Sequence, residues 1–165
     1  MIPLVLNPLK VVVGLAGQGP AFERRLAFLT DAGATPSIVP DDGGKDLRKL
    51  NVLYVAGLER AAAERLSHRA RTLGLLVNLE DEPDLSDFHV PGVVRRGELL
   101  LTVSSAGRSP GLVKVIREWL SDRFGSDWGG HVAELGRHRE EWRAAQIPAE
   151  EISRRTRAIA VAWFQ

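Results

Sequence analysis

The run Val11-Val12-Val13-Gly14-Leu15-Ala16 constrains this chain more than any other stretch. Apolar, largely β-branched residues without polar alternation predict a strand buried on both faces, the condition of a parallel sheet covered by helices. The residues that follow agree. Gly17-Gln18-Gly19-Pro20 breaks the run, then Phe22, Leu26, Phe28 and Leu29 recur at helical spacing, and Gly33 supplies a stop. Residues 35–40 predict a short second strand, Asp41-Asp42-Gly43-Gly44 a turn, and 52–57 a third strand. Residues 58–73 predict a helix with Leu58, Ala61, Ala62 and Leu66 inward and Glu64, Arg65 and Arg69 outward, followed by a fourth strand at 75–78. Strands alternating with helices of this length predict an α/β fold built from βαβ units.

Beyond residue 90 the pattern changes. Residues 92–105 hold two strand-like runs around Arg96-Gly97-Glu98, which predicts a hairpin. Ser109 then stands as an N-cap with Pro110 at the first helical position, and Leu112, Val115, Ile116 and Leu120 line one helix face. Two further amphipathic segments, about 127–145 and 149–164, carry Trp128, Leu135, Trp142, Ile152, Ile159 and Trp163, with Ile147-Pro148 between them. The expected organisation is therefore an α/β domain over 1–88, a hairpin and helix over 89–124, and a helical tail over 125–165.

Composition narrows the function. The net charge is +1 with both signs nearly balanced, so no basic field argues for nucleic acid. There are no cysteines, which excludes disulfides, thiolate metal sites and thiol nucleophiles. Pro3, Asn7, Pro8 and Lys10 interrupt the apolar start, and no stretch reaches the ~20 residues of a membrane span. A cytoplasmic protein that binds neither nucleic acid nor membrane is expected, with no metal site.

Three stretches carry chemistry. Gly17, Gln18, Gly19, Pro20 and Ala21 lie between a strand and a helix, where glycines let the backbone approach a pyrophosphate met by free N–H groups. Phe22 takes the place of the small residue that normally closes this motif. Asp41 and Asp42, some 22 to 25 residues beyond the glycines, are placed to accept the ribose hydroxyls of NAD. This is a Rossmann-like arrangement; its alternative is a glycine turn with solvated aspartates. The second stretch is the acidic run Glu80, Asp81, Glu82, Asp84 and Asp87, ending on Phe88-His89. Ligands of a parallel sheet gather outside the carboxyl ends of its strands, so Asn78 and Asp81 are candidates for a hydride-transfer site, Asp81 as general base. Spacing alone leaves a solvated acidic turn as the simpler reading. The third is Ser105-Ala106-Gly107-Arg108-Ser109-Pro110, with Arg95 and Arg96 one hairpin away. Its backbone donors and positive charge could hold anionic groups, or simply cap a helix. Among the histidines, His68, His131 and His138 read as surface or interface residues, and only His89 stands beside candidate chemistry.

The block from Val77 to Leu120 closely resembles the siroheme synthase N-terminal family, the precorrin-2 dehydrogenases, some of which are also sirohydrochlorin ferrochelatases. The resemblance rests on Asn78, Asp81, Pro83, Asp87-Phe88, Pro91, Arg95-Arg96 and Ser105 to Pro110, with Gly17, Gly19, Arg24-Arg25 and Ala32-Gly33-Ala34 in the first half. It implies a homodimer in which the hairpin and helix of 89–124 form the dimerisation element, and in which NAD⁺ takes a hydride from precorrin-2 to give sirohydrochlorin. It implies Asp81 as the essential carboxylate, with iron insertion as a second activity of some members. It also gives Asn78, His89, Arg95, Arg96, Ser105, Gly107, Arg108 and Ser109 a role toward the acetate and propionate arms of the tetrapyrrole, and makes Fe²⁺ a transient partner. Three features depart from the family: a much shorter stretch between Pro40 and Leu50, Gly57-Leu58-Glu59 in place of Thr-Asp-Asp, and Phe22 in the glycine turn. They keep a second expectation open, a non-catalytic dimer that binds a tetrapyrrole or a nucleotide.

Overall fold

The computed structural model describes residues 1–44 and 46–164. The chain divides into two compact units, Met1–Val90 and Pro91–Gln165.

In the first unit, β1 (Val13–Gly17), α1 (Gly19–Asp31), β2 (Ser37–Val39), β3 (Val52–Ala56), α2 (Arg60–Thr72) and β4 (Leu76–Leu79) follow in chain order. The strands form one parallel sheet in the order β2-β1-β3-β4. Side-chain alternation distributes the apolar run of each central strand to both faces. Val13 and Leu15 of β1 with Val52 and Tyr54 of β3 pack against Phe22, Leu26, Phe28 and Leu29 of α1. Ala16, Leu53, Val55, Val77 and Leu79 pack on the other face against Ala63, Leu66 and Ala70 of α2. The Rossmann-like parallel sheet with helices on both faces is thus the observed fold. Each fully buried aliphatic side chain contributes about 1.5–3 kcal/mol relative to exposure.

The short connection between β2 and β3 contributes to the core. A single 3₁₀ turn, Asp46–Lys49, delivers Leu47 to the α2-side core, and Leu50 follows it there. Leu50 reaches so close that a Cβ on Gly14 would fall 2.4 Å from its Cδ1, which explains a glycine in mid-strand.

Two expectations are corrected here. β1 starts at Val13, and Val12 is half-exposed, because the backbone N–H of Val12 is taken by the Asn51 side chain rather than by a neighbouring strand. In α2 the inward stripe is Ala63, Leu66, Ser67 and Ala70, while Ala61 is exposed and Ala62 only half-buried. The helix begins at Arg60, later than the sequence suggested, and its small residues face the sheet, where close approach is needed.

The second unit holds the antiparallel hairpin β5 (Gly92–Arg96) and β6 (Leu99–Val103), then α3 (Pro110–Arg123), α4 (Trp128–Ala144) and α5 (Ala149–Ala162). Ser109 caps α3 as expected, its hydroxyl accepting from Leu112 N at 3.4 Å. The expected apolar face of α3 is split, however. Ile116 and Leu120 are half-buried, but Leu112, Val115 and Trp119 stand exposed. In the tail Trp128 meets Phe124, Trp163 and Phe164, and His131 stacks on Trp163 at 4.3 Å.

Candidate functional site

β2 lies on one side of β1 and β3 on the other, so the direction of travel across the sheet reverses between β1 and β3. A crevice outside the carboxyl ends of those two strands is where such sheets bind ligands. Here the ends meet backbone to backbone: Gln18 N donates to Ala56 O at 3.2 Å. A Cβ on Gly17 (φ 131°) would sit 1.7 Å from Ala56 O, and one on Gly57 (φ 74°) 2.1 Å from Gln18 O. The contact and the positive φ angles both require glycine. Gly19 (φ 71°) faces open space.

The first turn of α1 keeps its amide donors available. Its N-cap, Gln18, makes no side-chain cap hydrogen bond, and the turn contains no acidic residue. By contrast, Glu59 closes the N-terminus of α2, its carboxylate accepting from Ala61 N at 3.0 Å. Open amides at the positive end of a helix, beside exposed Gly19 and Pro20, fit the pyrophosphate of a dinucleotide. Phe22 does not obstruct the turn; it points into the core on the α1 side.

Asp41 and Asp42 follow β2 and line, with Ala62, Arg65, Leu66 and Arg69, a cavity of about 390 Å³. The two are not equivalent. Asp42 accepts from Gly44 N at 2.9 Å through its own carboxylate, and Arg69 donates to the carbonyls of Asp42 and Gly44. Among the described residues Asp41 has no such engagement, and its carboxylate could meet a hydroxyl pair.

At the end of β4 the acidic run is sorted by arginines. Glu80 is reached by Arg24 at 3.3 Å and by Arg25 at 3.7 Å. Glu82 is held by Arg60, which also lies 3.6 Å from Asp84. Asp87 pairs with Arg71 at 2.9 Å and accepts from Val77 N at 2.8 Å. Ser86 Oγ accepts from Leu79 N and donates to the carbonyls of Leu79 or Glu82. Among the described residues Asp81 alone of the five has no ion pair or side-chain hydrogen bond. It is exposed and sits in the left-handed region at φ 64°. Buried Asn78 donates to Phe88 O at 2.8 Å and so fixes the return of the loop, and half-buried His89 follows directly. Phe88 meets Tyr54 edge-on at 5.3 Å. Burial raises the Tyr54 hydroxyl above its ordinary pKa, and the charge of Arg25 offsets part of that rise.

In the second unit the candidates also separate. The Arg96 guanidinium donates to the carbonyls of Arg95, Ser121, Phe124 and Gly125 and to the Ser121 hydroxyl. It closes the C-terminus of α3, and among the described residues one Nη1 hydrogen is left without a partner. Arg95 and Arg108 have no side-chain partner among the described residues. Ser105 Oγ accepts from Ser109 N at 2.9 Å, and Ala106 (φ 54°) and Gly107 (φ 79°) carry the loop outward. Three contacts escaped sequence reasoning: the close approach at Gly57, Glu80 with Arg25, and Arg60 with Glu82. Only Gly57 left a local signal, a glycine at a strand end; the ion pairs join residues remote in sequence.

Comparison with known proteins adds to this geometry. Residues 39–92 match the family described as "Putative NAD(P)-binding", a span that begins in β2 and ends in β5. Siroheme synthase 2 of Aeromonas salmonicida (strain A449) is 35% identical over 91 residues, covering 54% of this chain and 19% of that protein. The siroheme synthase of Nitrosococcus oceani is 27% identical over 174 residues, covering 92% of this chain and 37% of its own. A solved structure, "SirC, precorrin-2 dehydrogenase", has the same fold, with a TM-score of 0.74 at 19% identity, over 99% of this chain and 91% of that one. Fold and topology thus define a Rossmann-like α/β protein, similar over residues 39–92 to the NAD(P)-binding family. Within that class, the matches bear out the resemblance to the siroheme synthase N-terminal family. The chain spans 19% to 37% of the length of these two siroheme synthases.

Proposed function

We propose that this chain is an NAD-dependent precorrin-2 dehydrogenase, with Asp81 as the proton acceptor. The observation that carries the reading is the isolation of Asp81: four neighbouring carboxylates are neutralised by arginines, and the fifth is left exposed and unpartnered at a strand's carboxyl end. Conversion of precorrin-2 to sirohydrochlorin removes two electrons from the macrocycle as a hydride, together with a proton. Bound NAD⁺ would supply the hydride acceptor. Gly17 to Ala21 hold its pyrophosphate through the open first turn of α1, and Asp41 accepts the ribose hydroxyls. Asp81 takes the proton, a role worth about 10²–10⁴ in rate. Arg95, Arg108 and the backbone of the 105–109 loop receive the carboxylate arms of the tetrapyrrole. The exposed stripe of Leu112, Val115 and Trp119 meets a second copy of the chain, making a homodimer; the protein works in the cytoplasm.

Anaerobic incubation with precorrin-2 and NAD⁺, following the macrocycle spectrum and NADH together, tests the reading. Stoichiometric NADH is expected, and Asp81→Ala should lower kcat at least about a hundredfold with NAD⁺ affinity unchanged. Bound tetrapyrrole without NADH would instead support a binding paralogue. A parallel assay with sirohydrochlorin and Fe²⁺ decides the chelatase activity.

A further inference from the structure

Resting on the reading of Asp81 as proton acceptor, we infer that Glu80, gripped by Arg24 and Arg25, is a positioning residue for that carboxylate. Glu80 Oε1 accepts from Arg24 Nη2 at 3.3 Å. Its Oε2 is buried without a hydrogen-bond partner and faces Arg25 Nη2 at 3.7 Å, a distance of charge attraction rather than of hydrogen bonding. The Arg25 side chain is only 13% exposed, with its guanidinium 5.5 Å from the centroids of both Phe28 and Tyr54. Desolvating such a pair cancels much of its attraction, so it is a poor stabiliser, but its geometry is narrowly defined.

What the pair defines is the backbone on the N-terminal side of Asp81. Glu80 N donates to Val55 O at 3.0 Å, which anchors the main chain to the sheet, and the arginines anchor the side chain to α1. On the other side Arg60 holds Glu82, and Ser86 Oγ lies 2.9 Å from Glu82 O. Between these two fixed neighbours Asp81 takes a left-handed φ of 64°, a conformation that a non-glycine residue keeps only where its surroundings impose it. Aspartate is among the residues that tolerate it best. The unpartnered carboxylate is therefore aimed by its neighbours rather than by a bond of its own. Arg24 and Arg25 also ride on the helix whose first turn carries Gly19 to Ala21, so one ion pair joins the hydride-accepting side of the site to the proton-accepting side.

Glu80→Gln keeps the shape and removes the charge. The expected result is a fall in kcat of about ten- to a hundredfold, with KM for both substrates, NAD⁺ affinity and the thermal midpoint unchanged. Arg25→Gln should reproduce the loss, and the double variant should lose no more than either single one, because all three break the same pair. Unchanged kcat in Glu80→Gln would overturn the inference. So would parallel losses of kcat, NAD⁺ affinity and thermal midpoint, the pattern of a merely structural pair, or losses that multiply in the double variant. Asp81→Ala measured alongside separates the two claims. If Asp81→Ala is inactive and Glu80→Gln is fully active, only the positioning role fails; if Asp81→Ala is active, the parent reading fails.

Discussion

Every parallel strand of the first unit contributes buried apolar side chains to one of two cores, each closed by a helix. In the second unit, among the described residues, only Val94 and Ile152 reach that degree of burial. Its helix α3 instead shows Leu112, Val115 and Trp119 to solvent, at 53%, 61% and 62% exposure. Helix α3 is about as apolar as α1, so hydrophobic content does not separate the two. Partners do. A sheet offers a helix a broad surface on each face, whereas a two-stranded hairpin covers one side of one helix and leaves the rest of that helix without cover. The first unit is therefore closed by its own helices, whereas α3 of the second keeps an apolar stripe that the proposed homodimer would cover.

Stability measurements can break this contrast. The largest effect is expected at Leu53, wholly buried in β3: Leu53→Ala should cost about 2–5 kcal/mol in urea denaturation. A loss below 1 kcal/mol would mean that the first core is not closed. Next is Arg96, which binds three carbonyls at the end of α3 and one in β5; Arg96→Ala should cost about 1.5–3 kcal/mol, read in the same assay. Smaller in stability but decisive for the comparison is Trp119→Ser. On an exposed residue it should shift the unfolding of the monomer by less than about 0.5 kcal/mol, yet move sedimentation equilibrium from dimer to monomer. A variant that stays dimeric would place the interface elsewhere.

The smallest effect is a titration. Glu151 is bound by Arg154 and Arg155, and those hydrogen bonds lower its pKa from 4.5 to about 2. The folded value lies below the unfolded one, so the pair stabilises α5 above pH 4.5 and loses that contribution as the pH falls toward about 2. On this exposed surface the consequence for unfolding should be slight; a carboxyl titration by NMR would show it directly, and a midpoint near 4.5 would remove the pair.

How much could be read in advance differed by residue. A buried strand through Val13–Ala16, the glycine turn, the Ser109 cap and the Pro110 start depend on neighbours within a few positions, and the sequence alone specifies them, though not where the strand begins. The inward face of α2 was misread because its phase depends on where the helix starts, and Ala61, Ala62 and Ala63 look alike until the sheet selects one of them. Arg95 and Arg96 were indistinguishable as letters, and the C-terminus of α3 made one structural and left the other free. Asp41 and Asp42 separated in the same way, through a turn that occupied one carboxylate.

The acidic run shows the division most clearly. Local chemistry placed five carboxylates after a buried strand, and a resemblance pointed to Asp81 among them. That Asp81 stands alone could not be read locally, because the arginines that neutralise its neighbours come from positions 24, 25, 60 and 71. Apolar periodicity and turn chemistry act over a few residues, so the sequence by itself determined the elements, their order and the α/β class. Ion pairing acts through space between residues that only the folded sheet brings together, so tertiary structure decided which carboxylate is left free.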